Sequence, residues 1–256
     1  MEKRLKSWQG WLLFGGSMVV VFVLGLCVSA LMERRAELAS VFNNRKTVIE
    51  GIEARNEVFK SDFPREYQTW TETAKTDFQS EFNGNVAVDV LEQRPEMVIL
   101  WAGYAFSKDY STPRGHMHAI EDITATLRTG APATDADGPQ PSTCWTCKSP
   151  DVPRMMEAIG VDAFYNNKWG ALGGEIVNPI GCADCHEPEN MNLHISRPAL
   201  IEAFERQGKD ITEATPQEMR SLVCAQCHVE YYFKGDGKYL TFPWDKGLRW
   251  KTWSLL

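Results

Sequence analysis

Residues 142–150 read STCWTCKSP, and the two cysteines in this stretch govern the interpretation of the whole chain. Cys144 and Cys147 form a CxxC pair, and the residue that follows the pair is Lys148. Two further CxxC pairs occur later in the sequence, and both end in histidine: CADCH at 182–186 and CAQCH at 224–228. Six of the seven cysteines therefore belong to one repeated motif.

The motif CxxCH is the attachment signature of a c-type haem. Two thioether bonds fix the haem to the cysteines, and the histidine that follows is placed to bind the iron, for which imidazole is a good ligand. The sequence therefore predicts haem attachment at the two histidine-bearing motifs. The iron ligands would be His186 and His228, and the thioether bonds would be made by Cys182, Cys185, Cys224 and Cys227.

Zinc and disulfides are the alternatives for these cysteines. Two or more CxxC pairs can build a structural zinc site, and an exported protein can oxidise its cysteines to disulfides. Neither role requires a histidine directly after the pair, and here that histidine occurs in two motifs of three. The sequence therefore favours haem.

Lysine in the first motif indicates a special role for that site. A lysine amine must be neutral to bind iron, so it needs a pKa below the free value of about 10.4; burial and a ferric iron both act in that direction. Because such a site is costly to build, Lys148 argues for a special role of this haem. An electron-transfer haem is usually closed on both faces by protein ligands, whereas a catalytic haem keeps one face open. The alternative is a degenerate motif whose lysine points into solvent.

The charge and the N-terminus constrain partners and location. The 256 residues carry a net charge of −7, which argues against a nucleic-acid partner. Basic residues precede an uncharged stretch over Trp8–Met32; roughly 20 apolar residues span a bilayer, and basic flanks stay in the cytoplasm. Residues 1–35 are predicted to anchor a periplasmic protein to the inner membrane. VSA at 28–30 leaves a cleaved signal segment open, which would release it into the periplasm.

The remaining chain is predicted to be mainly α-helical. The sequence T215-P216-Q217-E218 is typical of a capping box, and the helix that it starts should carry Cys224, Cys227 and His228. We find no convincing strand pattern, and a Gly/Pro/Asp-rich loop is predicted at 130–143. Helical patterns occupy the segments 33–56, 63–77, 116–130, 197–208 and 215–228.

The motifs CWTCK, GCADCH and VCAQCHVEYYF together resemble the ammonia-forming cytochrome c nitrite reductases, which are multihaem enzymes. The similarity covers about residues 95–247, including the stretches WAGYAFSKDYSTPRGHMHAIEDITATLRTGAP and FPWDKG. It implies a multihaem cytochrome c fold with little strand over residues 36–247. The helix at 1–35 is similar to that of an anchored variety, and the end at 248–256 is atypical.

The resemblance implies roles for the first motif and for one distant histidine. Cys144, Cys147 and Lys148 match the attachment residues and iron ligand of the catalytic haem. His116, in the sequence PRGH, matches the distal iron ligand of the third haem. Two further histidines have no family counterpart, and a surface or propionate-contacting role is expected for His118 and His194.

Three more residues match the active site of that family. Arg128 matches an arginine that offers fixed donors and positive charge to nitrite, and Tyr231 matches a tyrosine that donates a hydrogen bond. Glu230 and the Tyr231 carbonyl match part of a calcium site. The plainer alternatives are a propionate partner for Arg128, a packing aromatic for Tyr231 and a surface acid for Glu230.

The resemblance implies the six-electron reduction of nitrite to ammonium, fed by neighbouring bis-histidine haems. It also implies a membrane quinol-linked cytochrome donor and a homodimer at full length. The family carries five haems, whereas this sequence has three motifs, so we expect an N-terminal half. The alternatives are a non-catalytic electron-transfer cytochrome, an inactive truncated fragment, and a structural zinc protein. Activity on hydroxylamine or sulfite is left open.

Overall fold

Helices make up most of the secondary structure, as predicted, in a computed structural model. The chain divides into two units, Met1–Thr47 and Val48–Leu256. The structure describes residues 6–43, 47–79, 81, 84–103, 105–126 and 140–248.

The first unit contains one long helix, α1, over Ser7–Asn43. Its Ser7–Ala36 part includes the uncharged stretch Trp8–Met32, and by length and composition it could cross a membrane. A signal sequence near the N-terminus would have the same properties. The prediction of a helix over 33–56 is correct as far as Asn43 and wrong for residues 47–55, which are not helical. Gly51 has a φ of +71°, which a right-handed helix does not accommodate.

The second unit is built from short helices joined by turns. Turns of 3₁₀-helix occur at Asn56–Ser61, Ala105–Ser107, His116–His118, Ser142–Trp145 and Pro243–Lys246. The α-helices are α2 Pro64–Glu72, α3 Val90–Gln93, α4 Met97–Leu100, α5 Ala119–Ala125, α6 Asp151–Ile159, α7 Val161–Tyr165, α8 Trp169–Leu172, α9 Cys182–Cys185, α10 Pro198–Glu205 and α11 Pro216–Ala225.

An aromatic-rich core lies among α6, α7, α8, α10 and α11. Trp145 and Trp169 are both fully buried, and their rings stack with centroids 3.5 Å apart and planes 6° from parallel. The indole nitrogen of Trp145 donates to the Trp169 carbonyl at 3.0 Å. Buried aromatic rings of this size remove about 150–250 Å² each from water, so this stack fixes the first CxxC motif to the core.

Two of the predicted helices start where they were expected to start, and both end about three residues early. The helix α10 starts at Pro198, and the chain reverses at Gly208, whose φ is +71°. The helix α11 begins with the predicted capping box between Thr215 and Glu218. The same helix ends at Ala225, before two of the three site residues that it was predicted to carry, so only Cys224 lies on it.

Two predictions need correction. The helix predicted over 116–130 begins as a 3₁₀ turn and continues as α5, which ends at Ala125, where the extended Thr126 follows. Residues 127–130 of that prediction lie outside the described residues. The hydroxyl of β-branched Thr124 bonds back to the Ile120 carbonyl, which weakens the helix. A small hairpin was missed. Its strands β1 Tyr232–Lys234 and β2 Tyr239–Thr241 pair antiparallel and are too short to show an alternating pattern.

The capping box of α11 gives a stability prediction. Replacement Thr215→Ala removes the side-chain acceptor of the Glu218 backbone N–H and should lower the free energy of unfolding by about 1 kcal/mol. Urea unfolding of the haem-loaded protein measures the change. The control is Gln217→Ala, an exposed position of the same helix; equal midpoints for the two variants would contradict the cap.

Candidate functional site

The three CxxC motifs meet at one buried arginine, Arg197, which is 0% exposed. Its Nε donates to the Thr146 carbonyl at 2.7 Å, and its Nη2 donates to the Ser149 carbonyl at 2.8 Å and to Asp184 Oδ1 at 2.5 Å. Thr146 and Asp184 are the third residues of the first and second motifs. Nothing in the local sequence distinguishes Arg197, and the sequence analysis missed it.

The third residue of the third motif, Gln226, completes the same network. Its amide oxygen accepts from the backbone N–H of Ser196 at 3.1 Å and of Arg197 at 3.2 Å. Its amide nitrogen donates to the Asp184 carbonyl at 2.7 Å. Arg197, Asp184 and Gln226 are all buried, and their side chains are hydrogen-bonded, so the network holds the three motifs at fixed mutual positions.

A cavity of about 810 Å³ opens between the first and third motifs. Ligand cavities typically measure about 300–1,000 Å³, so its size suits a large cofactor. Its wall includes both predicted ligands of one haem and the lysine of another: His116, Lys148, His228, Cys147 and Cys227. The structure therefore brings these predicted residues to one place.

The rings of His116 and His228 face the cavity with centroids 6.3 Å apart and planes tilted by 37°. Metal–imidazole bonds are about 2 Å long, so two imidazoles that share a metal ion have ring centres about 6 Å apart. The spacing fits the pair of ligands predicted for the third motif. The surrounding walls desolvate His116 and lower its pKa, as do the charges of His228 and Lys148, which favours the neutral form that binds metals.

The second motif is held by residues from the start of the unit. Asn56 Oδ1 accepts from the Cys182 backbone N–H at 2.8 Å, and its Nδ2 donates to the Pro179 carbonyl at 3.3 Å. A side chain at Gly181 would collide with the Asn56 amide, so this close approach requires glycine. Trp70 Nε1 adds a bond to the Ile180 carbonyl at 2.8 Å.

His186 is oriented for metal binding by one backbone carbonyl. Its Nδ1 lies 2.7 Å from the Met191 carbonyl, which can only accept, so Nδ1 carries the proton and Nε2 keeps its lone pair. Met191 has a φ of +61°, an uncommon conformation for a residue with a side chain. This local strain aims the carbonyl at the imidazole.

No disulfide joins the motif cysteines in the part of the chain that the structure describes. Cys147 and Cys227 contact each other: the hydrogen bond from the Cys227 thiol lowers the pKa of Cys147 to about 7, and this bond and burial raise the pKa of Cys227. Among the described residues, no three His, Cys, Asp or Glu side chains are grouped to hold a metal ion. The cysteines therefore do not form the four-ligand set that structural zinc requires.

The structure says less about the roles of the other predicted site residues. Tyr231 is 46% exposed and packs against Phe233. Glu230 is exposed and accepts a hydrogen bond from the Tyr232 hydroxyl. Arg128 lies outside the described residues.

The two histidines without a family counterpart lie in different surroundings. His118 contacts Glu121 at 3.0 Å through Nδ1 and the Ala74 carbonyl at 2.9 Å through Nε2, so both of its nitrogens are occupied. His194 is desolvated by burial, which lowers its pKa.

Asp151 holds the segment that follows the lysine. It is 1% exposed, and its Oδ2 accepts from the backbone N–H groups of Val177 at 2.9 Å and Asn178 at 2.8 Å. Ser149 donates to the same carboxylate at 3.2 Å and to the Asn178 carbonyl at 2.6 Å. The chain beyond Lys148 is thereby tied to the approach to the second motif.

Comparison with known proteins identifies related sequences. The sequence profile of the cytochrome c552 family matches residues 55–254. Cytochrome c-552 of Bacteroides thetaiotaomicron is 90% identical over 247 residues, which are 96% of this chain and 50% of that protein. Cytochrome c-552 of Porphyromonas gingivalis is 71% identical over 248 residues, again 96% of this chain and 50% of the relative. The chain thus spans about half the length of these relatives.

A solved structure resembles the fold described above. Cytochrome c nitrite reductase from Desulfovibrio desulfuricans, a catalytic subunit described with two calcium sites, superposes with a TM-score of 0.68. The sequences are 32% identical, and the match covers 78% of this chain and 45% of the other.

The Asp151 contacts generate a prediction about the lysine motif. The Asp151 carboxylate accepts hydrogen bonds from several donors, including Arg154 Nε at 3.0 Å. Replacement Asp151→Asn turns an amide NH₂ toward some of these donors and should lower the free energy of unfolding by about 1–3 kcal/mol. Urea unfolding is the measurement, with exposed Asp162→Asn as the control. An Asp151→Asn protein as stable as the control would show that these bonds contribute nothing.

Proposed function

Because the chain belongs to the cytochrome c552 family, we propose that it forms part of an enzyme that reduces nitrite to ammonium at a haem bound by Lys148. The observation that carries the proposal is the cavity in which Lys148 lies beside the His116 and His228 pair. One lysine-bearing site then adjoins one site with two histidines. This is the arrangement that a catalytic centre fed by an electron-transfer centre requires.

The residues present fit haem c. Cavity size, the imidazole spacing and the His186 tautomer each agree with it. When bound, haem c supplies a redox-active iron that can hold a small anion and accept or pass electrons. The residues that would hold the three haems are Cys144, Cys147 and Lys148; Cys182, Cys185 and His186; and Cys224, Cys227, His228 and His116.

Lys148 would occupy one face of its iron and leave the opposite face to substrate. Its motif is anchored on both sides of the lysine, since Trp145 is stacked in the core and Ser149 is bonded to Asp151. A lysine side chain has four flexible carbons, so fixing the backbone on both sides of it restricts where the amine can go.

Two histidine arrangements support electron supply. The imidazoles of His116 and His228 would close both faces of one iron, which leaves no position for substrate there. His186 would offer Nε2 while the Met191 carbonyl holds its Nδ1 proton. We assign no residue as the second ligand of the iron that His186 would bind.

Arg128 and Tyr231 are proposed to handle nitrite. A guanidinium offers fixed donors and a permanent positive charge to a small anion, and a tyrosine hydroxyl can donate a further bond. Tyr231 is partly exposed, as a residue in contact with substrate must be. The propionate role remains the competing assignment for Arg128.

Calcium is only partly accounted for by this chain. Glu230 and the Tyr231 carbonyl are the proposed ligands, whereas calcium takes about six to eight oxygens. The Glu230 carboxylate is exposed and therefore accessible, although it already accepts a bond from Tyr232. The other ligands would have to come from residues not assigned here, so we assign calcium no step in the reaction.

Location and partners follow from the N-terminus and the family. We propose that residues 1–35 hold the protein on the periplasmic side of the inner membrane, or are cleaved to release it. The proposed donor is a membrane cytochrome that oxidises quinol, and the proposed assembly at full length is a homodimer. We propose that residues 36–247 form part of the catalytic domain.

A non-catalytic electron carrier is the second candidate. The pairing of His116 with His228 favours it, because a haem closed on both faces transfers electrons without binding substrate. The two functions differ at Lys148, whose iron would be closed in a carrier. High-spin haem that responds to added nitrite supports the enzyme, and uniformly low-spin haem supports the carrier.

Replacement Lys148→Ala tests the enzyme. It should reduce nitrite-dependent oxidation of a reduced viologen to background, because the iron loses its ligand, while haem content by mass spectrometry stays the same. Lys60→Ala, an exposed lysine of the first 3₁₀ turn, is the control. The assay uses the full-length haem-loaded protein, and full turnover by Lys148→Ala would refute the proposal.

Replacement His116→Ala tests the paired site. One haem should change from low-spin to high-spin, as seen by optical and electron paramagnetic resonance spectra, because one axial ligand is lost. His118→Ala is the matched control, since its imidazole is bonded to Glu121 and Ala74. A spectrum unchanged by His116→Ala, or changed equally by both variants, would contradict the pairing.

A further inference from the structure

Arg197 and Asp184 form an ion pair that is buried on both sides, with side chains 0% and 4% exposed. The guanidinium also donates to two backbone carbonyls and, through Nη1, to the Ser196 hydroxyl at 2.6 Å. Asp184 Oδ2 accepts from the Gly181 backbone N–H at 2.8 Å. Both charges are therefore held in single positions at the junction of the three motifs.

We propose that the buried Arg197–Asp184 pair sets the reduction potentials of the haems attached to the three motifs, with the guanidinium favouring the reduced irons and the carboxylate opposing it. The proposal rests on haem attachment, which belongs to the proposed function. It makes Arg197 and Asp184 positioning residues that act on the haems through the motifs, without ligating iron.

The first argument is physical. A reduced haem iron carries one positive charge fewer than an oxidised one, so a nearby cation stabilises the reduced form and a nearby anion destabilises it. Such effects are strong where water is excluded, because the effective dielectric constant is low. Charge, hydrogen bonding and burial are the means by which a protein adjusts a haem potential.

The second argument is the position of the Arg197 guanidinium relative to the three motifs. Arg197 contacts the residue directly before the second cysteine of every motif, namely Thr146, Asp184 and Gln226. The cysteines that follow these residues are Cys147, Cys185 and Cys227. Those cysteines are the thioether positions nearest to the predicted iron ligands in sequence. One cation is thus shared among three attachment sites.

The third argument concerns what a purely structural link would need. Joining two motifs requires hydrogen bonds, and a neutral amide can supply them, as Gln226 does between the third motif and the second. Burying two ions costs several kcal/mol each in desolvation, and apolar replacements of such pairs are often neutral or stabilising. A purely structural role therefore does not explain why this buried pair is charged.

The test is a potentiometric titration of the full-length haem-loaded protein and its variants. Arg197→Met removes the cation, leaves Asp184 as an unpaired anion, and should shift the potentials downward. Asp184→Asn removes the anion and should shift them upward. Arg206→Met is the matched control, because Arg206 is a half-exposed member of another arginine–carboxylate pair, with Asp245, and should leave the potentials unchanged.

A structural role predicts a different pattern. Loosened packing would let water reach the haems in both variants, so the two potentials would shift in the same direction; that result, or no shift, overturns the proposal. If Arg197→Met does not take up haem, Arg197→Lys replaces it, because lysine keeps the charge without the planar fork. Potentials for Arg197→Lys near those of wild type and below those of Asp184→Asn support the proposal, and any other order overturns it.

The same samples separate this inference from the proposed function. Haem content is measured by mass, and nitrite turnover is measured in parallel. Opposite shifts without nitrite turnover would support the ion pair's role in a carrier and reject the enzyme. A wild-type protein that carries no haem would overturn both proposals.

Discussion

The structure of the second unit depends on one buried polar network centred on Arg197. Chain segments far apart in sequence contribute to it, and each CxxC motif enters it through its third residue. The first residue between the cysteines is buried as well, since Trp145, Ala183 and Ala225 all face inward. Each motif therefore uses its two middle residues for attachment to the protein, while its cysteines are less deeply buried.

This arrangement explains how a protein of short helices can hold large cofactors. The helices of the second unit pack around tryptophans and around the polar network, while the cavity between the first and third motifs remains open. Family membership and the solved relative agree with a mainly helical multihaem fold. The chain's matches span about half of those relatives, so the catalytic assembly that we propose would include residues beyond those described.

The sequence was sufficient for features that depend on local spacing. The motif residues, the capping box at Thr215 and the start of α10 at Pro198 follow from short-range rules, and the structure agrees. The sequence was insufficient for features that depend on contacts between distant chain segments. The role of Arg197 requires three motifs to meet, and the end of α5 and the hairpin depend on side-chain competition and on strands too short to show periodicity. The meeting of His116 with His228 was inferred through family resemblance, not through spacing.

The Trp145 indole gives the three motifs unequal mechanical properties. Alanine occupies the equivalent position of the other two motifs, whereas rotation of the first motif would have to pull a stacked ring out of a close-packed interior of low compressibility. In the enzyme that we propose, this anchor would keep the backbone at Lys148 in one position while the charge on a bound iron changes.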